Sequence, residues 1–274
     1  MRKPSDLENE RSQPNSVLAQ ASVAFDRAAE YYDRTRGFPA GIELHAAELL
    51  CRAGGLGRDS HVLELGIGTG RIAVPLAAHV RRLVGVDVAR PMLARLRSKT
   101  ADARIVPLLA DALALPFRAA RFDAVVAVHV FHLLPAWREA LREAARVLGP
   151  GGRLLNAQES IILRELWEQA YAGMPRRPNA GVEHGDTEFP LQAGFRADGA
   201  PLHLRYPVQL SMATFLREIE ERVWSATWRL GDDEHARLCA NMRDAIVARF
   251  GAIDTTLDIE REFTVQAYAK LDSA

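Results

Sequence analysis

Val62-Leu63-Glu64-Leu65-Gly66-Ile67-Gly68-Thr69-Gly70 decides the fold of this chain. Its first four residues read as a short apolar strand that runs into a turn with glycine at alternate positions. Arg71-Ile72-Ala73-Val74-Pro75-Leu76-Ala77-Ala78 then reads as a helix. Glycine reaches positive φ and has no Cβ, so a ligand can lie against the backbone of such a turn. The helix would aim its unpaired N–H groups, and the positive end of its dipole, at that ligand. The stretch therefore predicts a nucleotide-type site at the carboxyl end of a strand.

Downstream, strand and helix patterns alternate. Leu83-Val84-Gly85-Val86-Asp87 reads as a second strand ending in an acid, and Arg90-Pro91-Met92-Leu93 opens a helix with proline in its first turn. Arg104–Asp111 reads as a third strand, and Ala112-Leu113-Ala114-Leu115-Pro116-Phe117 as a loop. Phe122–Val128 is an apolar fourth strand, as a central parallel strand requires, and it leads into His129-Val130-Phe131-His132. Pro135 starts a helix with Trp137, Leu141, Ala144, Ala145 and Leu148 on one face; Gly149-Pro150-Gly151-Gly152 ends it, and Arg153–Ala157 begins a fifth strand. This alternation gives βαβ units and a parallel sheet.

The glycine spacing narrows the ligand. A dinucleotide fingerprint is G-x-G-x-x-G; here Arg71 occupies the third-glycine position and the glycine comes one residue early, at Gly70. Glu64 precedes the first glycine by two residues. A pyrophosphate disfavours that carboxylate, whereas a ligand with an ammonium and a sulfonium favours it, and S-adenosylmethionine is such a ligand. Asp87 lies 17 residues beyond Gly70, where doubly wound folds place an acid that accepts both ribose hydroxyls; capping of the next helix is the other reading. Asp111 can accept from an adenine amine, and the Ala112 N–H can reach a ring nitrogen.

Composition excludes several classes. The 274 residues suit one large domain, or one with an insertion, and the 48% hydrophobic content suffices for a full core. Lys plus Arg (35) balances Asp plus Glu (35), so no global charge draws the chain to nucleic acid or an anionic membrane. Cys51 and Cys239 are far apart, without C-x-x-C, which argues against a disulfide framework or a zinc site and fits a reducing cytoplasm. No signal-peptide pattern or membrane-length apolar run is visible. Glu183, His184 and Asp186 supply one histidine among flexible acids, too little for a metal site, and none is expected.

E-x-G-x-G-x-G, Asp87, Asp111-Ala112 before Leu115-Pro116-Phe117, and Arg146-Val147-Leu148-Gly149-Pro150-Gly151-Gly152 occur in that order. The set resembles the class I S-adenosylmethionine-dependent methyltransferases, in particular the small-molecule group that includes ubiquinone and menaquinone biosynthesis enzymes. Tyr32-Asp33 after an N-terminal helix also looks like that group, and the resemblance covers roughly residues 25–160. It implies a Rossmann-like doubly wound α/β sheet, mostly parallel with an antiparallel edge strand, plus a helical cap. It implies a glycine turn (Glu64, Gly66, Gly68, Gly70) for the methionine part of the cofactor and Asp87 for ribose, with Val88 and His129 also at the cofactor site. Met92 would pack on adenine, and Asp111 and Ala112 would read its edge. Gly149 departs from the family's usual lysine, at a turn away from the cofactor.

The expected organisation is a disordered tail over 1–18 and a single methyltransferase domain over 19–274. Within it, 19–60 carries N-terminal helices, 61–160 the cofactor-binding core, 160–255 a cap and edge region, and 256–272 the last strand. Inside the cap region, 173–200 reads as a long loop, Leu202–Leu210 as a strand, and Thr214–Trp228 and Asp233–Phe250 as helices. Phe215, Trp224 and Trp228 can line an acceptor pocket, although aromatics at helical spacing more often pack in a core.

Methyl transfer to carbon, nitrogen, oxygen or sulfur is an in-line displacement, so positioning and exclusion of water do most of the work. His129 and His132 follow the fourth strand beside the expected methyl position and are candidate bases; shaping the pocket is the alternative. Tyr32 and Arg36 can close over the cofactor, Arg36 pairing with its carboxylate. The expected protein is a cytoplasmic methyltransferase of a small molecule, binding neither nucleic acid nor membrane, with its oligomeric state open. A nicotinamide-dependent oxidoreductase, a cofactor-binding protein without transfer activity, and an RNA methyltransferase are the competing readings. Arg71 and Glu64 argue against the first, and the missing N-P-P-Y-type motif and basic domain against the last.

Overall fold

A computed structural model describes residues 25–26, 28–174, 181–183 and 186–271. The tail expected over 1–18, the start of the first expected helix, and His184 lie outside the described residues.

Among the described residues, α1 (Tyr32–Arg36) and α2 (Ile42–Gly54) lead into the sheet. The core then runs β1 (His61–Leu65), α3 (Ala73–Leu76), β2 (Arg82–Asp87), α4 (Arg90–Lys99), β3 (Ile105–Leu109), β4 (Phe122–Val128), α5 (Trp137–Val147) and β5 (Leu148–Glu159). After α6 (Arg164–Ala170) come β6 (Phe195–Ala197), β7 (Leu202–Ser211), α7 (Met212–Glu220), α8 (Asp232–Phe250) and β8 (Thr256–Lys270). The strand order is β3-β2-β1-β4-β5-β8-β6, with β7 also paired to β8. The first five strands are parallel, and β8 runs antiparallel to β5, β6 and β7. This is the parallel sheet that the alternation predicted, with the antiparallel edge that the resemblance implied.

Strand alternation divides the core. Val62, Leu83, Ala124, Val126 and Leu155 face one side, against α2 and α4. Leu63, Leu65, Val86, Val125, Ala127 and Leu154 face the other, against Leu141, Ala144 and Val147 of α5. A third core, built on Leu166, Met212, Phe215, Ile219, Leu238, Met242 and Ile246, joins α6, α7 and α8. β8 pairs with β5 only from Phe263 onward, so its first half continues past the end of β5 paired to β7 alone. That two-stranded ribbon rises above the carboxyl edge of the sheet and carries the helices.

Several expected boundaries change. The helix after the glycine turn is one turn, Ala73–Leu76, not the two turns expected over 71–78; Pro75 has no N–H to extend it. Its dipole therefore gives little help to a ligand. Gly149–Gly152 lies inside β5 as an irregularity: Leu148 pairs with Phe122 and Arg153 with Ala124, so five steps of one strand face two of the other. The expected loop over 173–200 contains a 3-10 turn, Phe189–Ala193, and the short strand β6. The helix expected over 214–228 stops at Glu220, and a 3-10 turn at Ser225–Thr227 follows, so Trp224 and Trp228 leave the helical face of Phe215.

Candidate functional site

The carboxyl edge of β1 and β2 carries the glycine turn. Gly66, Gly68 and Gly70 all have positive φ (64°, 54° and 83°). A Cβ on Gly70 would lie 2.3 Å from Leu96 Cδ1, so this glycine admits α4 packing. A Cβ on Gly68 would meet nothing closer than the Gly66 carbonyl at 3.8 Å, so the turn is open there. The Gly68 N–H donates to Asp87 Oδ2 (2.9 Å), and the Ala89 N–H to Asp87 Oδ1 (2.8 Å). Asp87 thus locks the turn to the second strand, and each oxygen keeps a lone pair for another donor. Burial pushes the Asp87 carboxyl up, against those backbone N–H groups. Its Ala89 contact opens the segment before α4, whose first cap carries no side-chain hydrogen bond.

Glu64 is buried (3% exposed), and its Oε2 has no hydrogen-bond partner. Burial pushes its carboxyl well up; Arg71 opposes that shift and Asp87 adds to it. An orphaned buried carboxylate oxygen costs free energy unless a donor or cation meets it.

α1 lies over the turn. Asp33 accepts from Thr69 Oγ1 (2.5 Å) and Lys99 Nζ (2.9 Å). Tyr32 packs against a small cluster of Ala28, Ala29, Ala89 and Met92. Met92 is 2% exposed, so those alanines, with Phe25 and Trp228 beside them, cover it. Arg36 Nη2 donates to the Val223 carbonyl (3.3 Å), and its guanidinium stacks on the Trp224 ring at 3.8 Å. Val88 is exposed at the end of β2. Asp111 Oδ1 accepts from the Leu113 N–H (2.9 Å), and Ala112 is buried next to it.

The edge formed by the carboxyl ends of β4 and β5, where the middle of β8 passes, has the opposite character. His129 sits in the left-handed region (φ 56°), a conformation that non-glycine residues adopt at a cost of order 1–3 kcal/mol. Its Nε2 is 3.0 Å from the Glu159 backbone N and 3.5 Å from Glu159 Oε2. The shorter contact has an N–H that can only donate, so Nε2 accepts and the neutral ring carries its proton on Nδ1. The His132 ring meets the His129 ring edge-on, with centroids 6.2 Å apart. Both histidines line a small cavity together with Asn156, Gln158, Glu183 and Asp186.

Glu159 is the hub. It is 3% exposed, its Oε2 takes Arg71 Nη1 at 2.6 Å, and its Oε1 lies 3.1 Å from Arg261 Nη1 and accepts from the Tyr206 hydroxyl. Burial alone would raise this carboxyl; Arg71, with Arg261, overrides it and holds it well below the usual carboxylate range. Arg71 also donates to the Arg36 carbonyl (2.5 Å) and stacks on Phe38 at 4.4 Å, so the residue after the glycine turn ties α1 to the fifth strand. Sequence reading passed over Glu159, Tyr206 and Arg261. Arg261 had a signal: Leu257, Ile259, Phe263, Val265 and Ala267 are apolar on one face of β8, and arginine interrupts them.

The structure therefore brings Gly66, Gly68, Gly70, Glu64 and Asp87 to one sheet edge, and His129 with His132 to the adjacent edge. Phe215 lies in the core of the helical region and Trp228 in the Met92 cluster. Among the described residues no group of three or more His, Cys, Asp or Glu could hold a metal. No helix among them is long and apolar enough to cross a membrane.

Residues 63–156 match a family model described as a methyltransferase domain. The chain is 46% identical over 99 residues to a demethylmenaquinone methyltransferase of Thermus thermophilus, a match over 34% of this chain and less than half, 44%, of that protein. It is 32% identical over 218 residues to the demethylmenaquinone methyltransferase of Mycobacterium sp. (strain KMS), covering 77% of this chain and 88% of that one. A solved structure of Haemonchus contortus phosphoethanolamine N-methyltransferase 2, with phosphomonomethylethanolamine and S-adenosylhomocysteine, shares the fold: TM-score 0.54 at 17% identity, over 90% of this chain and 58% of that one.

Proposed function

The chain belongs to the class I S-adenosylmethionine-dependent methyltransferases, and we propose that it binds this cofactor and methylates a small molecule held beneath the helices of residues 160–255. The observation that carries the reading is Glu64: a buried carboxylate with an unpartnered oxygen, beside a glycine turn that is open at Gly68. An ammonium next to Glu64 satisfies that oxygen and draws the carboxyl back to its charged form. When bound, the cofactor supplies an already activated methyl group and a neutral leaving group.

The chain's own residues do the rest. Gly66, Gly68 and Gly70 give the methionine part backbone to lie on, and Asp87 and Val88 hold the ribose. Met92, Asp111 and Ala112 serve the adenine; because Met92 is covered by Ala28 and Ala29, that role requires the segment around α1 to shift when the cofactor enters. Tyr32 and Arg36 belong to that closing segment. The helices on the β7–β8 ribbon shield the reacting atoms from water. His129 shapes the acceptor side; with Nε2 engaged by the Glu159 N–H, deprotonating an acceptor through that nitrogen requires the contact to break. Most of the acceleration is assigned to proximity, worth roughly 7–11 kcal/mol in well-oriented systems.

Calorimetry with S-adenosylmethionine, S-adenosylhomocysteine and NAD tests the reading. Binding of the first two and not the third is expected. Micromolar NAD binding with no heat from S-adenosylmethionine overturns it.

A further inference from the structure

We propose that the methyl acceptor carries an oxyanion, a carboxylate or a phosphate, and that Arg261 with Arg71 binds it beyond the carboxyl end of β5, where β8 continues past it. The inference rests on the methyltransferase reading and names the acceptor's chemical class.

The first observation is a break in a pattern. β7 and β8 turn Leu202, Leu204, Tyr206 and Val208, with Phe263 and Val265, toward the core, and Arg261 stands on that same face directly opposite Tyr206. A charged side chain on a buried face is costly unless it is paired and its donors are used. The second observation is that Arg261 is only partly used. Its Nη1 reaches Glu159, but its Nε is buried without a hydrogen-bond partner.

The third observation is charge. Arg71 and Arg261 both converge on the single carboxylate of Glu159, whose Oε1 also takes the Tyr206 hydroxyl and whose Oε2 takes Arg71. Glu64 lies within electrostatic reach of Arg71 and Glu218 of Arg36, but Glu159 is the carboxylate that Arg261 contacts on the buried face, and it already shares its charge with Arg71. An oxyanion supplies the missing charge and accepts from Arg261 Nε in a fork that suits guanidinium geometry. The cluster is not sealed: side-chain exposure is 10% at Arg71, 16% at Arg261 and 24% at His129. It opens beside the histidines that flank the expected methyl position.

The cofactor's own carboxylate is the rival occupant. β8 lies three strands from β1 in the order β1-β4-β5-β8, about 14 Å at the usual strand spacing. The methionine part would sit at Glu64 and Gly68, on β1, within electrostatic reach of Arg71, so it is Arg261, on β8, that is assigned to the acceptor side, with Arg71 between the two.

The test uses the full chain saturated with S-adenosylhomocysteine near neutral pH. Benzoate and inorganic phosphate are titrated by calorimetry, with benzamide as the uncharged control. Saturable binding of at least one anion and none of benzamide is expected, and the tighter anion identifies the group. Arg261→Gln should weaken that binding by at least about tenfold, as loss of a buried charge partner does, and leave S-adenosylhomocysteine affinity unchanged. Arg261→Lys, which keeps the charge without the fork, should fall between. Three results overturn the proposal: no saturable anion binding, equal binding of benzamide, or a parallel loss of S-adenosylhomocysteine affinity in Arg261→Gln, which gives the cluster to the cofactor. If Arg261→Gln does not fold, the anion-against-benzamide contrast in the unaltered chain decides. Failure of S-adenosylhomocysteine to bind at all strikes the methyltransferase reading instead, and the anion titration without it still decides the oxyanion site.

Discussion

The two halves of the sheet's carboxyl edge are electrostatic opposites. Over β1 and β2 the polar groups are carboxylates, Glu64 and Asp87, held by backbone N–H groups or by nothing. Over β5 and β8 they are arginines gathered on Glu159. Burial raises both acids of the first half, whereas the guanidinium groups depress Glu159. The same burial thus has opposite consequences, because the neighbours differ. A carboxylate left without a cation is a place for a cation to bind; a carboxylate crowded by cations is structural and leaves positive charge to spare.

Removing the hub should have the largest effect. Glu159→Gln leaves Arg71 and Arg261 buried without their counter-charge, and breaking a buried pair in this way costs about 3–5 kcal/mol. Urea unfolding near neutral pH should show that loss, and an unchanged midpoint would make the cluster incidental. Its pH dependence follows from the sign of the shift. A carboxyl depressed in the folded state stabilises it fully above the usual carboxylate range, and that stability is withdrawn as pH falls through the lower folded value. Glu159→Gln should therefore flatten the acid limb of the stability curve.

Asp87→Ala should come next, and on binding rather than on the fold. Each charge-assisted hydrogen bond to ribose is worth about 1.5–3 kcal/mol, so S-adenosylmethionine affinity should drop by well over tenfold, about 1.4 kcal/mol per decade. Because Asp87 also holds Gly68 and Ala89, a modest loss of stability accompanies it. An unchanged dissociation constant would reduce Asp87 to a turn residue.

Glu64→Gln sharpens the contrast with Glu159. An acid raised in the folded state costs stability as pH climbs from the usual carboxylate range to its higher folded value. The variant should thus be the more stable protein near neutral pH and no better in acid, while cofactor affinity falls by about tenfold through loss of one ion pair. A variant less stable at every pH would contradict the assigned shift.

At His129 the effect is expected on the rate alone. His129→Ala should keep S-adenosylmethionine binding and slow transfer by a graded amount, within the roughly 10²–10⁴-fold typical of general-base help. Complete loss of transfer with normal cofactor affinity would mean that the acceptor is a hydroxyl that must be deprotonated.

The first half of the edge was legible because it is local. Glu64, the three glycines and Asp87 fall at the ends of two consecutive strands, and the one-turn length of α3 was missed only because Pro75 was read inside a longer apolar pattern. The helical region was legible as helices, but the break after Glu220 moved Trp224 onto Arg36 and Trp228 onto the Met92 cluster. By itself the sequence determined the parallel sheet, its order of elements and the carboxylates at the ends of β1 and β2, since period, turn chemistry and strand-end residues act over a few positions. Only the tertiary structure decided the arginine cluster. Residues 71, 159, 206 and 261 come from the glycine turn and three strands, and antiparallel pairing of β8 with β5 and β7 brings them together. Their charges are tolerable only in one another's presence, and that mutual dependence across nearly two hundred residues leaves no periodic trace along the chain beyond one arginine in an apolar row.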